Sequence, residues 1–202
     1  MEVAQKALLV VRDDKKLLPL KKDKKINVIE QLIPYQFLGK DLYSHPHMFC
    51  EQMCKHSLNL ILDDTGFHAS DEDVEEALKL AKGADMVVMT NYYARIEKRG
   101  NNEHLVKALK KAGKTVVVVT NFPYRRGTTT DADVVICNFS GSPDSIRASA
   151  DLLFGAIKAC PTTKMPIDLT AEKNLPQMPA PVLKAPAKPT GKKKPFAYGG
   201  KC

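Results

Sequence analysis

His45, His47, Cys50, Cys54 and His56 form the densest group of metal-capable side chains in the chain, spaced His-x-His-x2-Cys-x3-Cys-x-His. Zinc accepts imidazole and thiolate ligands of this kind. Against that use, Cys50 and Cys54 stand four apart on a predicted helix and Pro46 separates the two earlier histidines. Neither a Cys-x2-Cys pair nor the His-x3-His half of a finger is present. The spacing therefore predicts small core-facing cysteines and no metal. Ser140-Gly141-Ser142 can offer N–H groups to an anion, but a helix cap needs the same residues, so no cofactor is expected. Spacing alone assembles no Ser-His-Asp or Cys-His arrangement, because such sites are defined by geometry.

Two loops carry side chains suited to ligand contact. Asn91, Tyr92, Tyr93 and Arg95 follow an apolar run that reads as a buried strand; they can hydrogen-bond to and stack on a polar ligand or a partner, or form an ordinary crossover loop. Open α/β sheets bind ligands beyond the carboxyl ends of their strands. Tyr124, Arg125 and Arg126 follow the next run; the guanidinium groups can clamp an anion, or the Pro123-Tyr124 pair simply closes a loop. Near the end of the chain, Lys192, Lys193 and Lys194 precede Phe196 and Tyr198. Lysines there can track phosphates while an aromatic ring docks on another chain; the alternative is a solubilising tail.

The elements that must position these groups are legible as periodicities. From Glu2 a helical stripe runs through Val3, Ala7, Val10 and Val11, stopped by charges and Pro19. Ile26 to Glu30 is short and β-branched, a strand. Residues 46–56 have helical spacing through Met48, Phe49, Gln52 and Met53, and Leu58 to Leu62 reads as a second strand. Ser70 and Asp73 form a capping box that opens a helix through Lys82. Ala84 to Thr90, Thr115 to Thr120 and Val134 to Cys137 are further strands. Asn102 to Ala112 is a helix, and Ser142-Pro143 caps another reaching about Ala159. Strands buried on both faces and joined by helices predict a three-layer α/β/α sandwich around a mostly parallel sheet.

The chain has 202 residues, 44% hydrophobic and 27% charged, as in a soluble globular protein with one core. No apolar run reaches the ~20 residues of a membrane span, and the first residues do not read as a signal peptide. Five irregularly spaced cysteines make no disulfide framework, so a cytoplasmic location is expected. From Pro161 onward eight lysines face only Asp168 and Glu172, so most of the net charge of +8 belongs to a segment broken by eight prolines. The division expected is an α/β domain over 1–169 and an extended basic tail over 170–202.

Several of these segments, in this order, resemble the C-terminal domain of family 3 glycoside hydrolases, particularly its β-N-acetylhexosaminidase branch. Ala4 to Asp14 with Leu17-Leu18-Pro19-Leu20 resembles the family's entry helix and turn. Ala84 to Met89, Leu105 to Leu109, Gly113 to Val119 and Phe122-Pro123-Tyr124 are similar to its consecutive strand, helix, strand and loop. Ala148 to Gly155 and Lys164-Met165-Pro166-Ile167 resemble its closing segments. Cys160 to Thr163 departs from the family's usual Gly before Lys, and the lysine-proline tail has no counterpart in that pattern.

The resemblance implies chemistry that this chain does not hold. Family members use a carboxylate nucleophile and a general acid, and both must be held on one substrate. The nucleophile lies on a preceding barrel of about 250 residues. No catalytic residue carries over. In the glucosidase branch a Glu of the C-terminal domain can act as acid/base, which brings Glu97 and Glu103 into view, but no partner carboxylate is supplied. The expected function is a stand-alone, non-catalytic relative acting as a binding or assembly subunit, with a protein partner reached through the tail and carbohydrate as a possible ligand. The alternative is the accessory subunit of a split β-N-acetylhexosaminidase whose barrel is a separate chain. A nucleic-acid-associated role through the basic tail ranks third.

Overall fold

The computed structural model describes residues 2–33, 45–93, 102–122 and 131–160. Their elements are α1 (Glu2–Ala7), β1 (Leu9–Asp13), β2 (Ile26–Gln31), α2 (Met48–Cys54), β3 (Leu60–Thr65), α3 (Asp71–Lys82), β4 (Met86–Thr90), α4 (Glu103–Lys111), β5 (Thr115–Thr120), β6 (Val134–Cys137) and α5 (Pro143–Leu153). The strands form one sheet in the order β1-β6-β5-β4-β2-β3. All neighbours are parallel except β1, which runs antiparallel to β6.

This order has one reversal. From β2 the chain crosses through α2 to β3 at the edge, then through α3 back past β2 to β4, and on through α4 to β5. Right-handed crossovers in opposite directions put α2 on one face of the sheet and α3 with α4 on the other. The alternation along the strands fits both faces. Ile26, Val28, Val117 and Val119 pack with Phe49 and Met53 of α2 and Ile146 and Leu153 of α5. Ile29, Val116 and Val118 pack with Ala77 and Ala81 of α3 and Leu105 and Leu109 of α4. A sheet covered on both faces needs apolar residues at every position, which is why its central strands read as unbroken Val/Ile runs.

The capping box is present as expected: Asp73 N–H donates to Ser70 Oγ at 3.1 Å and Ser70 N–H to Asp73 Oδ2 at 2.9 Å. Two expectations are corrected. The opening helix stops at Ala7, and Leu9–Asp13 is a strand. Val10 and Val11 are β-branched, and pairing with β6 satisfies a backbone that the helix would have left at its frayed end. The register slips between Val10 and Arg12, a bulge suited to an edge strand. The last helix ends at Leu153, short of Ala159, because Gly155 takes a left-handed φ of 75°. Its end is tied to the turn before β2 by Leu20 N–H donating to Leu153 O at 2.7 Å.

Candidate functional site

Three adjacent parallel strands end alike: Thr90-Asn91-Tyr92 after β4, Thr120-Asn121-Phe122 after β5, and Cys137-Asn138-Phe139 after β6. Each asparagine ties its strand end to a neighbour. Asn91 N–H donates to Val119 O at 2.9 Å and its Oδ1 accepts from Asn102 N–H at 2.9 Å. Asn121 exchanges hydrogen bonds with the Tyr93 backbone, accepting from its N–H at 2.9 Å and donating to its carbonyl at 3.0 Å. Asn138 Nδ2 donates to Tyr92 OH at 3.0 Å and to Ser149 Oγ at 3.1 Å. A short amide side chain serves here because strand ends leave backbone groups that must be paired when buried.

The aromatic residues divide between inside and outside. Tyr92 is buried and its phenol is pushed up, by burial above all. Phe122 and Phe139 are 38% and 44% exposed. Tyr93 meets Phe122 edge to face at 5.9 Å, and its hydroxyl donates to Glu103 Oε1 at 3.2 Å. Phe139 is held at a φ of 57°, a left-handed conformation that costs a bulky residue energy.

At the reversal of strand order, the ends of β2 and β4 border a small cleft lined by Glu30, Gln31, Thr90, Tyr92, Phe49 and Ile146, with His45 also on its wall. Open α/β sheets bind ligands at such switch points. Glu30 is 6% exposed, and Cys50 N–H donates to its Oε2 at 2.9 Å. Burial raises its carboxyl to about 7 against the pull of backbone N–H groups at Cys50, Phe49 and His47. Burial pushes the Cys50 thiol upward too, helped by the Glu30 charge. On the opposite face burial raises Asp63 to about 7, with Asp64, Glu76 and Asp73 adding like charge.

Of the side chains anticipated as ligand contacts, Asn91, Tyr92 and Tyr93 lie together at the carboxyl edge of the sheet, engaged in the bonds just described. Arg95, Tyr124, Arg125, Arg126, Lys192, Lys193, Lys194, Phe196 and Tyr198 lie outside the described residues, as does Glu97. The histidine and cysteine group does not converge. Cys50 faces the Asp63 carbonyl at 4.0 Å, His45 faces Glu51 at 3.6 Å, and His56 meets Asp151 at 3.0 Å while stacking on Phe154. Among the described residues no three His, Cys, Asp or Glu side chains gather as a metal site. Glu30, Asn138, Phe122 and Phe139 escaped the sequence reading as site residues. The repeated Asn-aromatic pair after each strand is the signal that could have found the last three.

Comparison with protein families matches residues 8–200 to the glycosyl hydrolase family 3 C-terminal domain. None of the curated proteins matches. Among solved structures, a glycoside hydrolase family 3 β-N-acetylglucosaminidase from Paenibacillus sp. str. FPU-7 is 17% identical with a TM-score of 0.65, covering 78% of this chain and 30% of that one. A β-glucosidase from Listeria innocua in complex with isofagomine is 19% identical with a TM-score of 0.63, covering 77% and 25%. A fungal multi-domain β-N-acetylglucosaminidase of the same family is 19% identical with a TM-score of 0.60, covering 78% and 17%. The chain thus spans less than a third of the length of these enzymes. Among the described residues no helix is long and apolar enough to cross a membrane.

Proposed function

We infer the function from one premise: the chain belongs to the glycosyl hydrolase family 3 C-terminal domain family. On that premise it is a non-catalytic relative of that domain, acting as a binding or assembly subunit. The observation that carries this reading is that residues 8–200 match the family's C-terminal domain. Retaining glycoside hydrolysis needs two carboxylates about 5 Å apart across one bond. At the carboxyl edge of the sheet, Glu103 accepts from Tyr93 and Glu30 lies buried at the end of a different strand, so these two carboxyls are engaged in separate contacts.

The contact surface in this reading is the carboxyl edge of the sheet. Phe122 and Phe139 offer exposed aromatic area beside the half-buried Tyr93 and Asn121, a combination that suits a protein partner or a sugar face. Arg95, Tyr124, Arg125 and Arg126 extend the same two loops in sequence, and the Lys192–Lys194, Phe196 and Tyr198 group is a second contact for the partner. The cytoplasmic location expected from the irregular cysteine spacing sits against the disulfide at Cys54, which favours an oxidising compartment, and forms no part of this reading.

A second reading is favoured by the likeness to a β-N-acetylglucosaminidase: the chain is the accessory subunit of a split enzyme whose barrel is encoded separately. One experiment separates the two. The untagged protein is purified from its source with whatever accompanies it, and both fractions are assayed on an aryl N-acetylglucosaminide. Hydrolysis by the pair and by neither chain alone supports the split enzyme; a stable complex without hydrolysis supports the assembly subunit. Turnover by the single chain at enzyme-like rates sinks both.

A further inference from the structure

The switch-point cleft holds a buried carboxylate that no lysine or arginine among the described residues balances. Glu30 lies on the α2 side of the sheet, on the floor between the ends of β2 and β4. Its Oε2 accepts from Cys50 N–H, the Cys50 thiol and the N–H groups of Phe49 and His47 also donate to the carboxyl, and among the described residues no lysine or arginine forms an ion pair with it. The other titratable groups facing it are the Cys50 thiol and the Tyr92 phenol, both driven toward their neutral forms by burial, and His45 on the wall, which faces Glu51. A buried carboxylate is normally neutralised by a counter-charge or by protonation. Around Glu30 the walls combine apolar surface from Phe49, Pro46 and Ile146 with polar groups of Thr90, Gln31, Tyr92 and His45.

We propose that this cleft binds the ammonium head of a primary amine, with Glu30 as its counter-charge. The room available suits a head about the size of a water molecule. An ammonium group brings three donors and no acceptor, matching a carboxylate and a hydroxyl, while the carbon next to it rests on Phe49 and Ile146. The site stands where such folds open their sheets to ligands, at the reversal of strand order between β2 and β4. It is independent of the accessory reading, since it uses no partner chain and no exposed aromatic residue.

The probe is propylammonium at pH 8, titrated into the 15N-labelled full chain, with propanol as the neutral counterpart. Saturable shifts are expected at the Cys50, Gln31 and Thr90 amides with the amine and not with the alcohol. Glu30→Gln keeps an acceptor for Cys50 N–H and removes the charge, so it is expected to weaken binding at least tenfold. Lowering the pH to 5.5 protonates Glu30 and is expected to weaken binding in the wild type and in His45→Gln alike. Equal shifts with propanol, undiminished binding by Glu30→Gln, or shifts that never saturate each overturn the proposal. Should Glu30→Gln not fold, the pH comparison decides: affinity unchanged between pH 8 and 5.5 overturns it as well.

Discussion

Gln31 and Tyr92 clasp each other across the switch point. The Gln31 amide donates to Phe67 O at 2.9 Å and to Tyr92 O at 3.2 Å, and its Oε1 accepts from Tyr92 N–H. One side chain thereby satisfies three buried backbone groups where β2 and β4 part and regular ladder pairing ends. Gln31→Leu keeps the shape and orphans all three. Stranding a buried polar group costs ~1–3 kcal/mol, so the variant is expected to lose about 3 kcal/mol in urea unfolding without a change in m-value. A loss below about 1 kcal/mol would show the clasp to be dispensable.

Asn27, the second residue of β2, is fully buried, with neither amide atom hydrogen-bonded. Its alternation with Ile26 and Val28 sets it on the α3 face, where an apolar residue belongs. Asn27→Val removes an unsatisfied amide and suits a strand. The expected gain is about 1–2 kcal/mol, read as a Tm rise of a few degrees. A lower Tm would mean that the amide is satisfied in solution, for instance by a buried water.

Two glycines with nearly equal dihedrals separate strain from crowding. Gly113 has a φ of 77° and open space where a Cβ would stand; Gly155 has a φ of 75°, and a Cβ there would meet Pro19 Cβ at 2.8 Å. Gly113→Ala is expected to cost about 1 kcal/mol for the left-handed backbone alone. Gly155→Ala adds the clash and is expected to cost about 1–3 kcal/mol more. Equal losses in chemical denaturation would refute the close approach of the last helix to the Pro19 turn.

Stability should pass through a maximum in mildly acidic solution. Glu30 and Asp63 move from ordinary values of 4.5 and 3.8 to about 7. Between about pH 4 and 7 the folded chain holds protons that the unfolded chain has released, so stability falls as pH rises through that window. Asp133 behaves oppositely. Burial pulls its carboxyl up, but hydrogen bonds from Lys110, Lys15 and the Val116 amide prevail and hold it at about 2. Its contribution is present above pH 4 and lost as pH falls toward 2. Urea midpoints from pH 2 to 8 are the measurement, and Glu30→Gln with Asp63→Asn is expected to flatten the neutral limb.

Phe139 trades backbone strain for exposed aromatic surface. Phe139→Gly is expected to stabilise the isolated chain by up to about 1 kcal/mol, since glycine accepts a φ of 57° without penalty. The same change is expected to weaken capture of the partner in pull-down from the source. A glycine variant that is less stable would show that the ring packs to advantage on this chain itself.

The sequence by itself determined the layered fold. The Val87-Val88, Val116–Val119 and Val134-Val135-Ile136 runs are too apolar and too β-branched for anything but strands covered on both faces, and the Ser70 and Ser142 caps set where α3 and α5 begin. Leu9–Asp13 escaped because five residues with helical spacing beside a true helix look like its continuation; only β6 lying alongside made them an edge strand. The candidate site escaped for a similar reason. Asn91 and Tyr92 were legible as polar residues after a strand, yet whether they face solvent or bind Asn102 and Asn138 is set by contacts with residues distant in the chain. Glu30 reads locally as the end of a strand, and tertiary packing alone brought the N-terminus of α2, Thr90 and Ile146 around its carboxylate. Periodicity records which face of an element is apolar, whereas the partners of a buried polar group are fixed only when elements from different parts of the chain meet.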